Sequence, residues 1–278
     1  MARKSFIDIL GDYGFNHTDE YKRLQGLLYR ASIRMGGQKV HVIDLFAEYF
    51  QYLPRSLTGT CVNLDDFNNT YNFSFDDYAG DKSFDDYLTF CEYAYNFAYY
   101  LRLWSERNTY GAEIKAYEYV LEQICTSIEK CAHEISRHPD KQIFIITPKD
   151  AVLNLVAGIV AEPIAFRLIE YNHRSLKHNL EKKREILRSI ASDLEPKRSS
   201  LKSVAPSLEE SLFFLFNNIG IRHNNDANKK VINNMSEEEL GNWYDDTFQL
   251  CMQGYVQLDN QLVLDRVSAL RLSLKSKK

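Results

Sequence analysis

Between Phe84 and Trp104 the chain places Tyr87, Phe90, Cys91, Ala94, Phe97, Leu101 and Trp104 at steps of three and four. Between Gly111 and Ser136 it repeats the pattern with Ile114, Tyr117, Val120, Leu121, Ile124, Ile128, Cys131 and Ile135. An α-helix returns to the same side every 3.6 residues, so each run turns one apolar face inward and holds its shape only against another element. The two runs predict an antiparallel helical hairpin. At helical spacing the aromatic stripe reads as a core face rather than a base-stacking or cofactor platform.

The same periodicity recurs along the chain. Apolar positions from Tyr21 to Met35 predict a helix stopped by Gly36-Gly37, and a second follows from about Val40 to the turn before Pro54. Residues 55 to 82 are rich in Asn, Asp and Gly and predict a connector, which places a domain boundary near residue 80: an N-terminal helical region over 1–80 and a helical domain over 81–278. The run from Gln142 to Thr147 is short, apolar and β-branched, the one strand signal in the second half. Thr147-Pro148 predicts the start of a helix reaching about Ala161, and another begins near Pro163. Residues 173 to 202 hold nine Lys or Arg against four Asp or Glu, with Leu176, Leu180, Leu187, Ile190 and Leu194 as a buried stripe. This is an amphipathic helix with a basic outer face, ended near Pro196. Ser207 to Glu210 and Ser236 to Glu239 read as capping boxes opening two more helices, the second long, and Arg271 to Lys278 reads as a basic, fraying end.

With 278 residues and 45% hydrophobic content the chain can bury a substantial core. A net charge of −4 argues against bulk electrostatic binding of nucleic acid while leaving room for a local basic groove. The first apolar stretch is broken by Asp8, Gly11 and Asp12, too early for a signal peptide, and no run elsewhere could span a bilayer, so the expected place is the cytoplasm with no membrane contact. Five cysteines, odd in number and without metal-ligand spacing, read as reduced and buried. No metal or cofactor is expected: the Asp65-Asp66, Asp76-Asp77 and Asp85-Asp86 pairs lack fixed ligand spacing, and the glycine-rich phosphate loops and common hydrolase motifs are absent.

The stretch with chemistry in it is FNNIGIRHNND, residues 216 to 226, which follows abruptly on the apolar run from Leu212 to Phe216. Metal-independent RNA cleavage needs a base for the ribose 2'-hydroxyl proton and a cation for the charge that builds on the phosphate. His223 and Arg222 supply those two types, and Asn217, Asn218, Asn224 and Asn225 supply hydrogen bonds for phosphate, sugar or base edges. The competing structural reading is a helix C-cap and turn, with Arg222 in a surface ion pair. Arg167 and His173, six apart, form a runner-up pair.

Those residues resemble the asparagine, arginine and histidine cluster of the HEPN superfamily, small helical domains of prokaryotic defence, abortive-infection and toxin systems, many of them RNases. The family hallmark sets an arginine ahead of a histidine with four to six residues between them. Aligned on His223, that place falls on Phe216, Asn217 or Asn218, so either Arg222 substitutes for the arginine or the domain is a non-cleaving member. The resemblance implies a mostly α, HEPN-like helical bundle with one short β element. It also implies a homodimer with the motif at its two-fold interface, RNA as candidate ligand and a defence-system protein as candidate partner. A catalytic version would be a metal-independent endoribonuclease with His223 as general base or acid and Arg222 as phosphate stabiliser. The alternative is a non-catalytic interaction or sensor protein whose Asn-rich loop binds RNA or a protein.

Overall fold

A computed structural model describes residues 15–35, 38–76, 82–108, 111–138, 141–222 and 234–275. The chain is mostly α-helical and divides into two compact units, Met1–Pro148 and Lys149–Lys278. Among the described residues no helix is long and apolar enough to cross a membrane.

The first unit opens with α1 (His17–Arg30), whose first turn is satisfied by the Asn16 side chain accepting from the Thr18 and Asp19 N–H groups. The expected continuation to Met35 does not form. The chain leaves the helix at Ala31, and β1 (Ser32–Met35) pairs antiparallel with β2 (Gln38–His41); the Gly36-Gly37 stop lies outside the described residues. Helix α2 (Val42–Glu48) and the short α3 (Arg55–Thr58) follow, and then α4 (Leu64–Thr70), capped by Asn63. These segments overturn the reading of residues 55–82 as a connector. Phe67 and Phe75 are buried in the same core as Phe46, Phe90 and Phe97, and the Gln25 amide donates to the Phe75 carbonyl at 2.6 Å. Asn and Asp serve here as caps and turn formers, so a polar composition hides a packed segment. The division of the chain accordingly falls at Pro148, not near residue 80.

Helices α5 (Phe84–Arg107) and α6 (Gly111–Lys130) form the expected hairpin, and Tyr87, Phe90, Cys91, Ala94, Phe97 and Leu101 are all buried. Asp86, one of the paired aspartates, closes a capping box with Ser83. Helix α6 stops at Lys130 instead of Ser136, because Ala132 adopts a left-handed φ of 52° that no helix tolerates. Beyond it β3 (His133–Arg137) pairs antiparallel with β4 (Phe144–Pro148), Ile135 opposite Ile146. Among the described residues the β content is two small hairpins, where one element was expected. The far edge of β4 is covered by side chains of α5. Asn96 accepts from the Phe144 N–H and donates to its carbonyl, each at 2.8 Å, and Glu92 accepts from the Ile146 N–H at 2.8 Å. An unpaired strand edge is thus satisfied by a helix.

The second unit begins with α7 (Ala151–Ile159). Pro148 ends β4 and does not open this helix; Asp150 caps it, accepting from the Val152 and Leu153 N–H groups. Next come α8 (Glu162–Tyr171), α9 (Leu180–Leu194), α10 (Arg198–Val204), α11 (Pro206–Asn218) and α12 (Glu237–Lys275). Around Pro196 the chain makes a single 3-10 turn and runs on as α10. The core joins Ile186, Leu187, Ile190 and Leu194 of α9 to Leu212, Phe213 and Phe216 of α11 and Tyr244, Phe248 and Cys251 of α12. Ser207 forms no cap: α11 starts one residue earlier, and Glu209 is drawn instead to Arg198, whose Nε lies 2.6 Å from its Oε1. Ser236 does cap α12, accepting from the Glu239 N–H at 3.1 Å.

Candidate functional site

The candidate loop leaves the end of α11. Asn218 donates to the Phe214 carbonyl one turn back at 2.7 Å, and half-buried Asn217 shares the last turn. Gly220 then takes a φ of 77°, a left-handed conformation open to glycine without cost, and this lets the Arg222 N–H return to the Phe216 carbonyl at 3.0 Å. Ile219 and Ile221 are buried. Their carbonyls are held from two other helices: Tyr244 Oη donates to Ile219 at 3.4 Å, and Arg188 Nε donates to Ile221 at 2.9 Å. Arg222 itself forms an ion pair with Glu195, its side chain 24% exposed. The backbone is therefore fixed up to Arg222. His223, Asn224 and Asn225 lie outside the described residues.

The runner-up pair has a different geometry from that of a straight helix. Helix α8 ends at Tyr171, and His173 stands beyond it in extended backbone. Arg167 is committed to Glu170, Nη1 to Oε2 at 2.7 Å, with the Glu170 side chain almost wholly buried. His173 Nε2 lies 3.1 Å from Arg174 Nη1 and Nδ1 lies 2.7 Å from Ser175 Oγ. Nδ1 also accepts from the Ser175 N–H at 3.3 Å, so both ring nitrogens are engaged by neighbours in sequence rather than by Arg167.

The basic stretch around α9 is mostly paired. Lys182 meets Glu185 at 3.0 Å, Arg184 meets Glu181 at 3.4 Å, Arg198 meets Glu209 at 2.6 Å, and Lys197 meets Asp193. The carboxylate of Glu185 is held below its usual range by the Lys182 contact. Deepest is Lys183, 6% exposed, whose Nζ lies 2.7 Å from Asp245 Oδ1; Tyr171 Oη donates to the same oxygen at 2.9 Å. The Tyr171 ring stacks on Phe248 at 4.1 Å, and burial, with Asp245 beside it, drives its pKa far above the ordinary phenol value, so the hydroxyl stays a donor.

Arg188, Tyr244 and Glu195 are structural partners of the loop entry that sequence spacing does not reveal. Glu195 lies in the 3-10 turn after α9 and Arg222 in the loop after α11, and they meet only in the folded chain. The faint signal was compositional: a basic stretch preceding a polar loop. Among the described residues no three His, Cys, Asp or Glu side chains converge as metal ligands. Comparison with family models, curated proteins and solved structures finds no match to the chain.

Proposed function

We propose that the chain is a cytoplasmic component of a prokaryotic defence or abortive-infection system, acting on RNA through the loop that Arg222 and His223 open, in the manner of HEPN proteins. The observation that supports this reading is the fixed entry to the loop. Arg188, Tyr244 and Glu195 hold residues 219–222 in place, so the residue before His223 has a defined position and a defined cation. Preorganised charge costs no reorganisation when a phosphate arrives. A guanidinium has five N–H donors, and one carboxylate leaves others for a ligand. In this reading His223 takes or gives the 2'-hydroxyl proton, Arg222 stabilises the phosphate, and Asn217, Asn218, Asn224 and Asn225 position the RNA. The resemblance adds a homodimer.

The test is induction in a bacterial host of wild type, His223→Ala, Arg222→Ala, Glu195→Gln and the Arg167→Ala/His173→Ala pair, reading growth and total-RNA integrity at matched soluble expression. Arrest with RNA fragmentation in wild type, lost in the first two variants and kept in the Arg167/His173 pair, is the expected result. Fragmentation that survives His223→Ala would sink the assignment.

A second reading, a non-catalytic interaction protein, is favoured by a separate observation: the α9 cations are spent on Glu181, Glu185 and Asp245, which leaves less positive surface for a phosphate backbone. It expects no RNA fragmentation from any form.

A further inference from the structure

Helix α12 outruns the unit it belongs to. Tyr244, Phe248, Cys251, Met252 and Tyr255 pack into the core, but every residue from Leu262 to Leu274 is exposed. That overhang carries seven large apolar side chains, Leu262, Val263, Leu264, Val267, Leu270, Leu272 and Leu274, between 38% and 69% exposed. A helical stretch of this length packed on nothing is marginal in water, and such a concentration of exposed apolar surface marks an interaction site.

The spacing narrows the occupant to another helix. Val256, Val263 and Leu270 lie seven apart, with Val267 and Leu274 between and after them at alternating steps of three and four. This is the seam of a helix that packs side by side with a second helix. The charge along it is polar: Asp259 and Asp265 lie towards the core, while Arg266, Arg271 and Lys275 lie towards its C-terminal end. Two parallel copies would set like charges together, whereas two antiparallel copies set the basic end of each against the acidic start of the other.

We propose that the exposed end of α12 pairs antiparallel with the same segment of a second copy of this chain, the second copy's Val267, Leu270 and Leu274 packing along Val263 and Val256 and its basic end set towards Asp259. The interface does not rest on the loop's acting on RNA, and either can fail alone.

Sedimentation velocity of the full chain at low micromolar concentration tests it. Wild type is expected at twice the monomer mass. Leu270→Asp with Leu274→Asp, at exposed positions, is expected to weaken association by about a hundredfold or more with an unchanged far-UV circular dichroism spectrum. A monomeric wild type overturns the proposal, all the more if it binds phosphatidylserine vesicles through this segment, and so does a double variant that stays dimeric. Orientation is read separately from a spin label at Leu274→Cys in a Cys125→Ser background. Antiparallel copies separate the two labels by roughly 27 Å, from about nine residues either side of the centre at about 1.5 Å each, and a much shorter separation overturns the antiparallel arrangement.

Discussion

The first unit sets Phe46, Phe67, Phe75 and Phe97 ring against ring at centroid separations of 5.3 to 5.5 Å, whereas the second surrounds a largely aliphatic core with ion pairs such as Lys183 with Asp245 and Arg198 with Glu209. In the first, polar side chains mainly close what the backbone leaves open, as Asn96 and Glu92 do for β4. In the second they tie helices together. The difference teaches where each unit is vulnerable. Aromatic packing concentrates stability in a few large side chains, while an ion-paired frame spreads it and exposes part of it to salt.

The hardest test of that contrast is Phe97→Ala. The ring is fully buried and touches four other aromatic rings, so its loss is expected to cost about 3–5 kcal/mol in urea unfolding of the first unit. A cost under 1 kcal/mol would end the idea of an aromatic keystone.

Next is Asp245→Ala, which leaves the buried Lys183 ammonium without its carboxylate. The expected cost is about 2–3 kcal/mol, below that of a fully buried pair because the Asp245 side chain is itself 46% exposed. Adding Lys183→Met should recover most of the loss, and a double variant no better than the single one would show that the pair does not frame the unit.

Asn96→Ala is expected to cost about 1–2 kcal/mol by stranding the N–H and carbonyl of Phe144. Hydrogen exchange at Phe144 should accelerate with it, and unchanged exchange would mean that water replaces the side chain freely.

The smallest effects concern pH. Burial raises the hydroxyls of Tyr87 and Tyr117 in the first unit and of Tyr171 and Tyr255 in the second. An unfolded tyrosine ionises near pH 10 or so, so the stability these groups confer is complete below that and falls as the pH rises towards the folded values. Both units should weaken together in alkali. In acid the units should differ. Burial raises Glu20, but hydrogen bonds from Arg23 and Ser127 outweigh it, and the net shift is downward from 4.5. Its contribution is present above that value and is lost as the pH falls through the folded one. Glu20→Gln should flatten acid unfolding of the first unit alone; an identical acid curve for the variant would remove Glu20 from the account.

Helices with one clear apolar stripe were legible in the sequence, α5 and α6 above all. Two local misreadings have local causes. Ile135 keeps helical spacing with Ile128 and Cys131, which hid β3, and Asn and Asp in residues 55–82 looked like linker because capping residues and loop residues are the same residues. The site was half legible. The change from apolar to polar at Phe216 marks the end of α11 and the start of the candidate loop, but nothing along the chain couples Arg222 to Glu195 or Ile221 to Arg188. The neighbours of His173, Arg174 and Ser175, are close in sequence yet meet its ring only because the backbone leaves α8 at Tyr171.

By itself the sequence determined which faces of which helices are apolar and where chemistry-bearing residues cluster, because periodicity and composition are properties of neighbours along the chain. The tertiary structure alone decided which strand β4 joins, that the first 148 residues share one unit, and that Arg222 meets a carboxylate. Those outcomes depend on contacts between distant segments, whose energies are settled only when the segments pack.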